Sequence, residues 1–275
     1  MLIQQPPFSV GKLIYTAAKR TPRDIGLFKP FAISVDNYYP NYKVLNRFEA
    51  KFGAVEARPT FVFNATFPLI LQCVAQSDIP SKLLGLIHIS SQVEVLGPQN
   101  WRLPSTAVVE IESIDESDKG LLYKIKTTVW QNKQVTLVNI NEMLDKSRYY
   151  QGRSSIKVAS NNDADFETLT NFEISQKDVW KYARISRDFN PIHMGNTFAK
   201  LFGLKGALVH GMLNAHLSLN KIIEQQNVPN KTIKIEFNKP CYIPANLTLS
   251  KKVDTQEYSL SSNCGTERHL KITVS

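Results

Sequence analysis

Cysteine is scarce. The 275 residues hold three, Cys73, Cys241 and Cys264, and no two stand in a CxxC pair. That spacing excludes a disulfide framework and a four-thiolate zinc site, so a reducing, cytoplasmic setting is expected. Long apolar runs are missing as well. Nowhere does the chain reach the roughly 20 uninterrupted apolar residues of a membrane span, and the opening MLIQQPPFSVGKLIYTAAKR lacks the apolar stretch of a signal peptide. A soluble, unprocessed chain with no membrane partner is expected. Concentrated charge is absent too. The 33 Lys and Arg outnumber the 24 Asp and Glu for a formal charge of +9, yet they are scattered, with no basic stripe interleaved with aromatics and no zinc-finger spacing. Nucleic acid is therefore not an expected partner.

What is present is the material of a globular chain. Hydrophobic residues make up 43% against 21% charged, spread through both halves, enough for one large core or two modest ones. The basic balance suits a polyanionic partner, either a phosphorylated carrier such as coenzyme A or an acidic carrier protein.

The first stretch, to about residue 32, is punctuated by Pro6, Pro7, Pro22 and Pro30 and has no sustained periodicity, so it reads as an arm. FVFNATFPLILQCVA, Phe61 to Ala75, is apolar all round and fits a buried helix interrupted near Pro68, or a buried strand leading into one. IHISSQVEVLG, TAVVEIESID, LLYKIKTTVWQN and QVTLVNINEML follow as four antiparallel strands, rich in Val, Ile and Thr with turn residues between them. Residues 151–168 are polar and read as a linker. Beyond them the order repeats: a long apolar helix from Gly211 to about Gln226 precedes TIKIEFN, NLTLSKKV, EYSLSSN and RHLKITVS, four more strands. Each half is thus a helix followed by a meander. FEAKFG and FAKLFG, each upstream of its half's helix, point to an internal duplication. The expected class is α+β, two antiparallel sheets each wrapping a central helix, with domains at 1–150 and 169–275.

The chemistry concentrates between Ser175 and Met212. Ser175 and Asp178 have the S-x-x-D form of a capping box for a helix ending near Ser186. In RDFNPIH, Pro191 pushes Asn190 out of helical dihedrals, which places Asp188 to His193 on a turn or loop where the carboxylate and the imidazole can meet. A short helix capped by Asn196 ends at Gly203. The long helix begins at His210 and Gly211, where backbone N–H groups are left free, where partial positive charge collects, and where glycine lets a carbonyl approach closely. The plain alternatives are a structural histidine at His193, a turn-forming Asp188 and a His210 that only shapes the helix entry. Asp188, His193 and His210 also form a conceivable zinc set, but their ligand logic is met no better than by chance and no metal is expected.

The run ARISRDFNPIHMGNTFAKLFGLKGALVHGM, Ala183 to Met212, resembles the signature of MaoC-like R-specific enoyl-CoA hydratases. The match covers the Asp-Phe-Asn-Pro-Ile-His block, Ala199, Gly203 and the Val-His-Gly-Met helix start. The resemblance implies a double hot-dog fold with a degenerate first half. It implies addition of water to a trans-2-enoyl thioester, or dehydration of an R-3-hydroxyacyl thioester. It maps the catalytic pair onto Asp188 and His193 and the oxyanion donor onto Gly211, with Asn190, Pro191 and His210 as motif support. No metal or redox cofactor is implied; coenzyme A or phosphopantetheine enters only as part of the substrate. An acyl-carrier-protein dehydratase and a non-catalytic acyl-thioester binding protein are the rival readings, and a homo-oligomer is compatible with all three. Two positions depart from the pattern. Arg187 stands where the family commonly has glycine, and Gly195 where it usually has an acid. The first half has Asn37 or Tyr38, and Tyr42 or Lys43, at its counterparts, so one site per chain is expected.

Overall fold

The computed structural model describes residues 2–4 (backbone only), 28–81, 85–146, 165–225, 231–265 and 267–275. They form two compact units, one built from the elements up to Asp145 together with Arg184–Asp188 and the other from the remaining residues from Phe166 onward. No helix among the described residues is long and apolar enough to cross a membrane.

The first unit contains β1 (Leu2–Gln4), β2 (Phe31–Tyr38), α1 (Tyr42–Phe52), α2 (Phe61–Gln76), β3 (Leu86–Val95), β4 (Ser105–Ser117), β5 (Gly120–Gln131) and β6 (Gln134–Asp145). The apolar run from Phe61 is a single 16-residue helix, unbroken at Pro68. Pro68 has no N–H to donate to Asn64. The cost is tolerated because α2 is buried on nearly every side: Phe61, Val62, Leu69, Ile70, Cys73 and Val74 are each at most 1% exposed. Burying side chains of this size contributes about 1.5–3 kcal/mol each, enough to carry a helix with a poor interior residue. The buried hydroxyl of Thr66 donates back to the Val62 carbonyl at 2.7 Å, and the Tyr38 hydroxyl donates to the Ala65 carbonyl.

The second unit contains β7 (Phe166–Ile174), α3 (Gln176–Ser186), α4 (Pro191–Met194), α5 (Asn196–Leu201), α6 (Gly211–Gln225), β8 (Thr232–Phe237), β9 (Ala245–Lys252), β10 (Glu257–Ser262) and β11 (Arg268–Val274). Leu213 and Ala215 of α6 are fully buried, with Met212, Leu219 and Ile222 nearly so. Alternate residues of β9 and β10, Leu247, Leu249, Tyr258 and Leu260, are buried in the same core.

The eight strands expected after the two central helices are present, but neither set is a plain meander. In the first unit the order is β1-β2-β4-β5-β6-β3, and in the second β8-β11-β10-β9-β7. The strand after each central helix skips the meander and pairs with its last member, β3 with β6 and β8 with β11. The flanking strands match as well, since β2 pairs antiparallel with β4 and β7 with β9. Two units with one unusual strand order, together with Gly53 after α1 and Gly203 after α5 both at positive φ (86° and 76°), give the FEAKFG and FAKLFG repeat a structural counterpart.

Three expectations are corrected. Leu2–Gln4, assigned to an arm, is a strand pairing parallel with Ala32–Ser34 of β2. β2 itself begins within the arm, while residues 5–27 lie outside the described part. The linker expected over 151–168 falls on residues outside the description up to 164, but its last residues belong to β7, which starts at Phe166. Asn196 is not the cap of α5. Gly195 holds that position, and the Asn196 side chain instead accepts from the Ala207 N–H at 2.8 Å.

Candidate active site

The site grows from the segment 175–212, and its local order starts at a helix cap. The Asp178 carboxylate accepts from the Ser175 N–H at 3.1 Å and from its hydroxyl at 2.6 Å, while the Asp178 N–H reaches the Ser175 hydroxyl at 3.3 Å. This is the reciprocal capping box its sequence announces. α3 runs to Ser186, whose buried hydroxyl accepts from the Asp188 N–H at 3.2 Å and so shapes the turn that follows.

Arg187 lies in that turn at φ 61°. This is the left-handed region that glycine enters freely and that a side chain enters at a cost of about 1–2 kcal/mol. The place where the resembled family commonly has glycine is therefore one where the backbone favours it. Arginine adopts the same conformation here under strain, and the turn is kept.

His193 does not sit on an irregular loop. Asn190, extended as expected before proline, caps a one-turn helix by accepting from the Ile192 N–H at 3.3 Å; Pro191 is its first residue and His193 its third. Proline is preorganised for that position and has no N–H there to leave unsatisfied. α3 holds this turn from outside. Gln176 donates to the His193 carbonyl at 2.9 Å, and the Trp180 indole donates to the Met194 carbonyl at 3.1 Å. These two residues lie at i and i+4 on α3, a spacing that puts them on one face.

The imidazole is held at one edge and on one face. His193 Nδ1 lies 2.9 Å from the Leu208 carbonyl oxygen. A carbonyl only accepts, so in the neutral ring Nδ1 carries the hydrogen and Nε2 keeps the lone pair. The Leu208 carbonyl is itself pinned. The Leu208 N–H donates to Ile192, the Val209 N–H to Cys241 and the Ile243 N–H to Ala207. The His193 and His210 rings stack with centroids 3.8 Å apart, and the edge of Tyr182 meets His210 at 5.2 Å. His193 is 8% exposed and His210 3%, while Asp188 is half-buried. One donor atom from each of Asp188, His193 and His210 lies within 4.8 Å of the others.

Gly211 opens α6, and among the described residues no group accepts from its N–H. The structure adds a steric reason for the glycine. A Cβ there would lie 2.8 Å from both Cδ1 and Cε1 of Phe237. Gly211→Ala is expected to lower stability by about 1–3 kcal/mol through this overlap, measured as the shift in a denaturant unfolding midpoint. Most of the loss returns in the double variant with Phe237→Ala; equal losses with and without the ring would rule the overlap out as the cause.

Asp188, Asn190, Pro191, His193, His210 and Gly211 are thus brought into one neighbourhood. The residues that hold them, Gln176, Trp180 and Leu208, carry no sequence signal beyond the helical spacing of the first two; Leu208 acts through its backbone and could not have been found from its side chain. Elsewhere, His88, with its Nε2 3.0 Å from Asn141 Oδ1, and His216, fully buried on α6, are ordinary structural histidines.

Residues 157–273 match the family model of the MaoC like domain. The 3-hydroxyacyl-thioester dehydratase X of Mycobacterium tuberculosis is 26% identical over 187 residues, which is 68% of this chain and 66%, just under two thirds, of the relative. The crystal structure of HtdX from the same organism superposes with a TM-score of 0.73 at 22% identity, covering 88% of this chain and 98% of that one. A conserved hypothetical protein of Mycobacterium tuberculosis, described as having a double hot-dog fold, superposes at 0.54 with 9% identity over 94% of this chain and 96% of its own. The fold is therefore the α+β double hot-dog, and the site described above lies within the matched MaoC-like residues.

Proposed function

We propose that this chain adds water to trans-2-enoyl thioesters, or removes it from R-3-hydroxyacyl thioesters, with Asp188 and His193 as the proton-transferring pair. The observation that carries the reading is the meeting of a carboxylate and two imidazoles within 4.8 Å beside the free N–H at the start of α6. The MaoC-like domain and the likeness to a 3-hydroxyacyl-thioester dehydratase support the reaction class.

In the hydration direction, a water placed between Asp188 and His193 gives up a proton to the pair as its oxygen bonds to C3. The pair returns a proton to C2 on the same face, so the sum is one water added and both groups regain their starting state. The lone pair that His193 Nε2 keeps while Nδ1 is committed to Leu208 suits the accepting role. The thioester oxygen gains negative charge meanwhile, and the Gly211 N–H at the positive end of α6 offers it a fixed donor worth about 3 kcal/mol. Every step balances on protein groups and water alone.

Mixing the purified protein with crotonyl-CoA and octenoyl-CoA, while following loss of the conjugated enoyl absorbance, tests the reading. Loss of absorbance with formation of the R product is expected. Measurable binding of both thioesters with no loss would replace it with a binding protein without turnover.

A further inference from the structure

Immediately after the turn that carries His193, α5 presents an apolar ridge to solvent. Phe198 and Leu201 on α5 and Phe202 just after it, spaced i, i+3 and i+4, are 53%, 78% and 49% exposed, so one face of the helix points outward. Trp180, 48% exposed and tied through its indole to the Met194 carbonyl, continues the apolar surface onto α3. Exposed large side chains scattered singly are ordinary, but several on one short helix beside a site are not.

The charges around this ridge are one-sided. From Ser175 to His210 the chain carries Lys177, Lys181, Arg184, Arg187, Lys200 and Lys205 against only Asp178 and Asp188. Asp178 is taken by the cap at Ser175, and Asp188 lies at the site. Lys177, Lys181, Lys200 and Lys205 are all exposed, and among the described residues none of them makes an ion pair. Some surface lysines elsewhere are matched: Lys124 reaches Glu112, Lys221 reaches Glu224 and Lys271 reaches Glu257, each at 2.9 Å. Cations left uncompensated around a solvent-facing apolar ridge attract an anionic, amphipathic partner and steer its approach. A convex helical ridge offers no cleft for a nucleotide, which needs a concave site. It fits the acidic amphipathic helix of a protein.

We infer that the α5 ridge with its surrounding lysines is the docking surface for an acidic acyl carrier protein that delivers the thioester to the adjoining site. This rests on the proposed reaction for its purpose, and it can fail separately. An acidic acyl carrier protein in its holo form is the probe, measured first by titration in calorimetry without any chemistry. Binding in the micromolar range is expected, weakening about tenfold or more between 50 and 300 mM salt as exposed charges are screened. Leu201→Glu and the pair Lys200→Glu with Lys205→Glu each abolish it, while their thermal unfolding stays near that of the parent because all three side chains are solvent-facing. In steady state, kcat/KM for crotonyl carrier protein then falls at least about tenfold, while kcat/KM for crotonyl-CoA is unchanged. No binding of the carrier by the parent protein, or variants that leave carrier binding intact or slow both substrates alike, would overturn the docking surface. Binding of the carrier without turnover of either thioester leaves the surface standing and removes the reaction.

Discussion

His193→Gln is expected to lower turnover of a 2-enoyl thioester by about 10³-fold, with its binding affinity changed no more than a few-fold. A positioned acid or base contributes about 10²–10⁴ to such steps. Glutamine retains a side-chain donor that can meet the Leu208 carbonyl, the partner His193 Nδ1 has at 2.9 Å, but it offers no basic nitrogen in place of Nε2. The turn keeps its cap at Asn190 and its bond from Gln176, both made through groups other than the His193 side chain, so folding is preserved. Asp188→Asn, nearly isosteric, is expected to cost a similar factor for the same reason. Because the two groups act on one water, the losses do not add. The double variant is expected to fall little below the poorer single one, as for residues that work as a unit. Stopped-flow or steady-state rates with crotonyl-CoA, alongside equilibrium binding of a saturated acyl-CoA, separate turnover from affinity. A single variant that keeps near-parental kcat would take its residue out of the mechanism. Fully multiplicative losses would mean that the two groups do not share a proton path.

Much of this site is legible in the chain because its order is local. The capping box at Ser175 and Asp178, the proline that ends one geometry and starts another at Pro191, and the glycine opening α6 all act within a few residues, where sequence rules are strongest. The same holds for eight of the strands, whose period-2 alternation is set by a single buried face. What escaped the sequence depends on partners far along the chain. β2 alternates cleanly, with Phe31, Ile33 and Val35 buried, but the prolines before it made the whole lead-in look irregular. β7 is half-exposed along most of its length, so its alternation is faint. The order of strands, with β3 beyond β6 and β8 beyond β11, is a tertiary fact that a run of alternating segments cannot encode, and a meander was the simplest reading of it. At His193, the sequence alone presents the proline as a breaker of helix. It breaks helix before itself and initiates it after, so the histidine lies on a turn of helix rather than on a loop. At Gly211, the sequence suggested room for a substrate; the ring of Phe237, 26 residues onward, supplies a second demand for the absent Cβ.

Mild acid is expected to destabilise the protein through its buried histidines, and His216 is the sharpest case. Burial pushes its imidazolium form down to a pKa of about 3; in the unfolded chain the ring titrates near its ordinary 6.5. Between those values the unfolded state binds a proton that the folded state refuses. Stability contributed by the neutral ring is therefore complete above about pH 6.5 and is lost as pH falls, at about 1.4 kcal/mol per pH unit for one group. By pH 4.5 the loss from His216 alone reaches roughly 3 kcal/mol, a large part of the 5–15 kcal/mol typical of a domain. His88 adds to it over a narrower window, because burial lowers its pKa only to about 4, opposed by its bond to Asn141; the residue is only half-buried, which softens the effect. The half-buried carboxylates work at lower pH. Glu49, held down by its bond to Arg102, and Glu112, held down by Lys124 and Lys126 against its own partial burial, lose their contributions only as pH drops through the carboxylate range. Urea unfolding of the parent and of His216→Gln at pH 7.5, 6, 5 and 4.5 tests the assignment. The variant starts less stable at pH 7.5, since the ring packs against Tyr182 at a centroid distance of 5.9 Å, but its curve against pH is flatter and the two converge on acidification. Parallel curves would show that His216 is not the group whose protonation opens the fold.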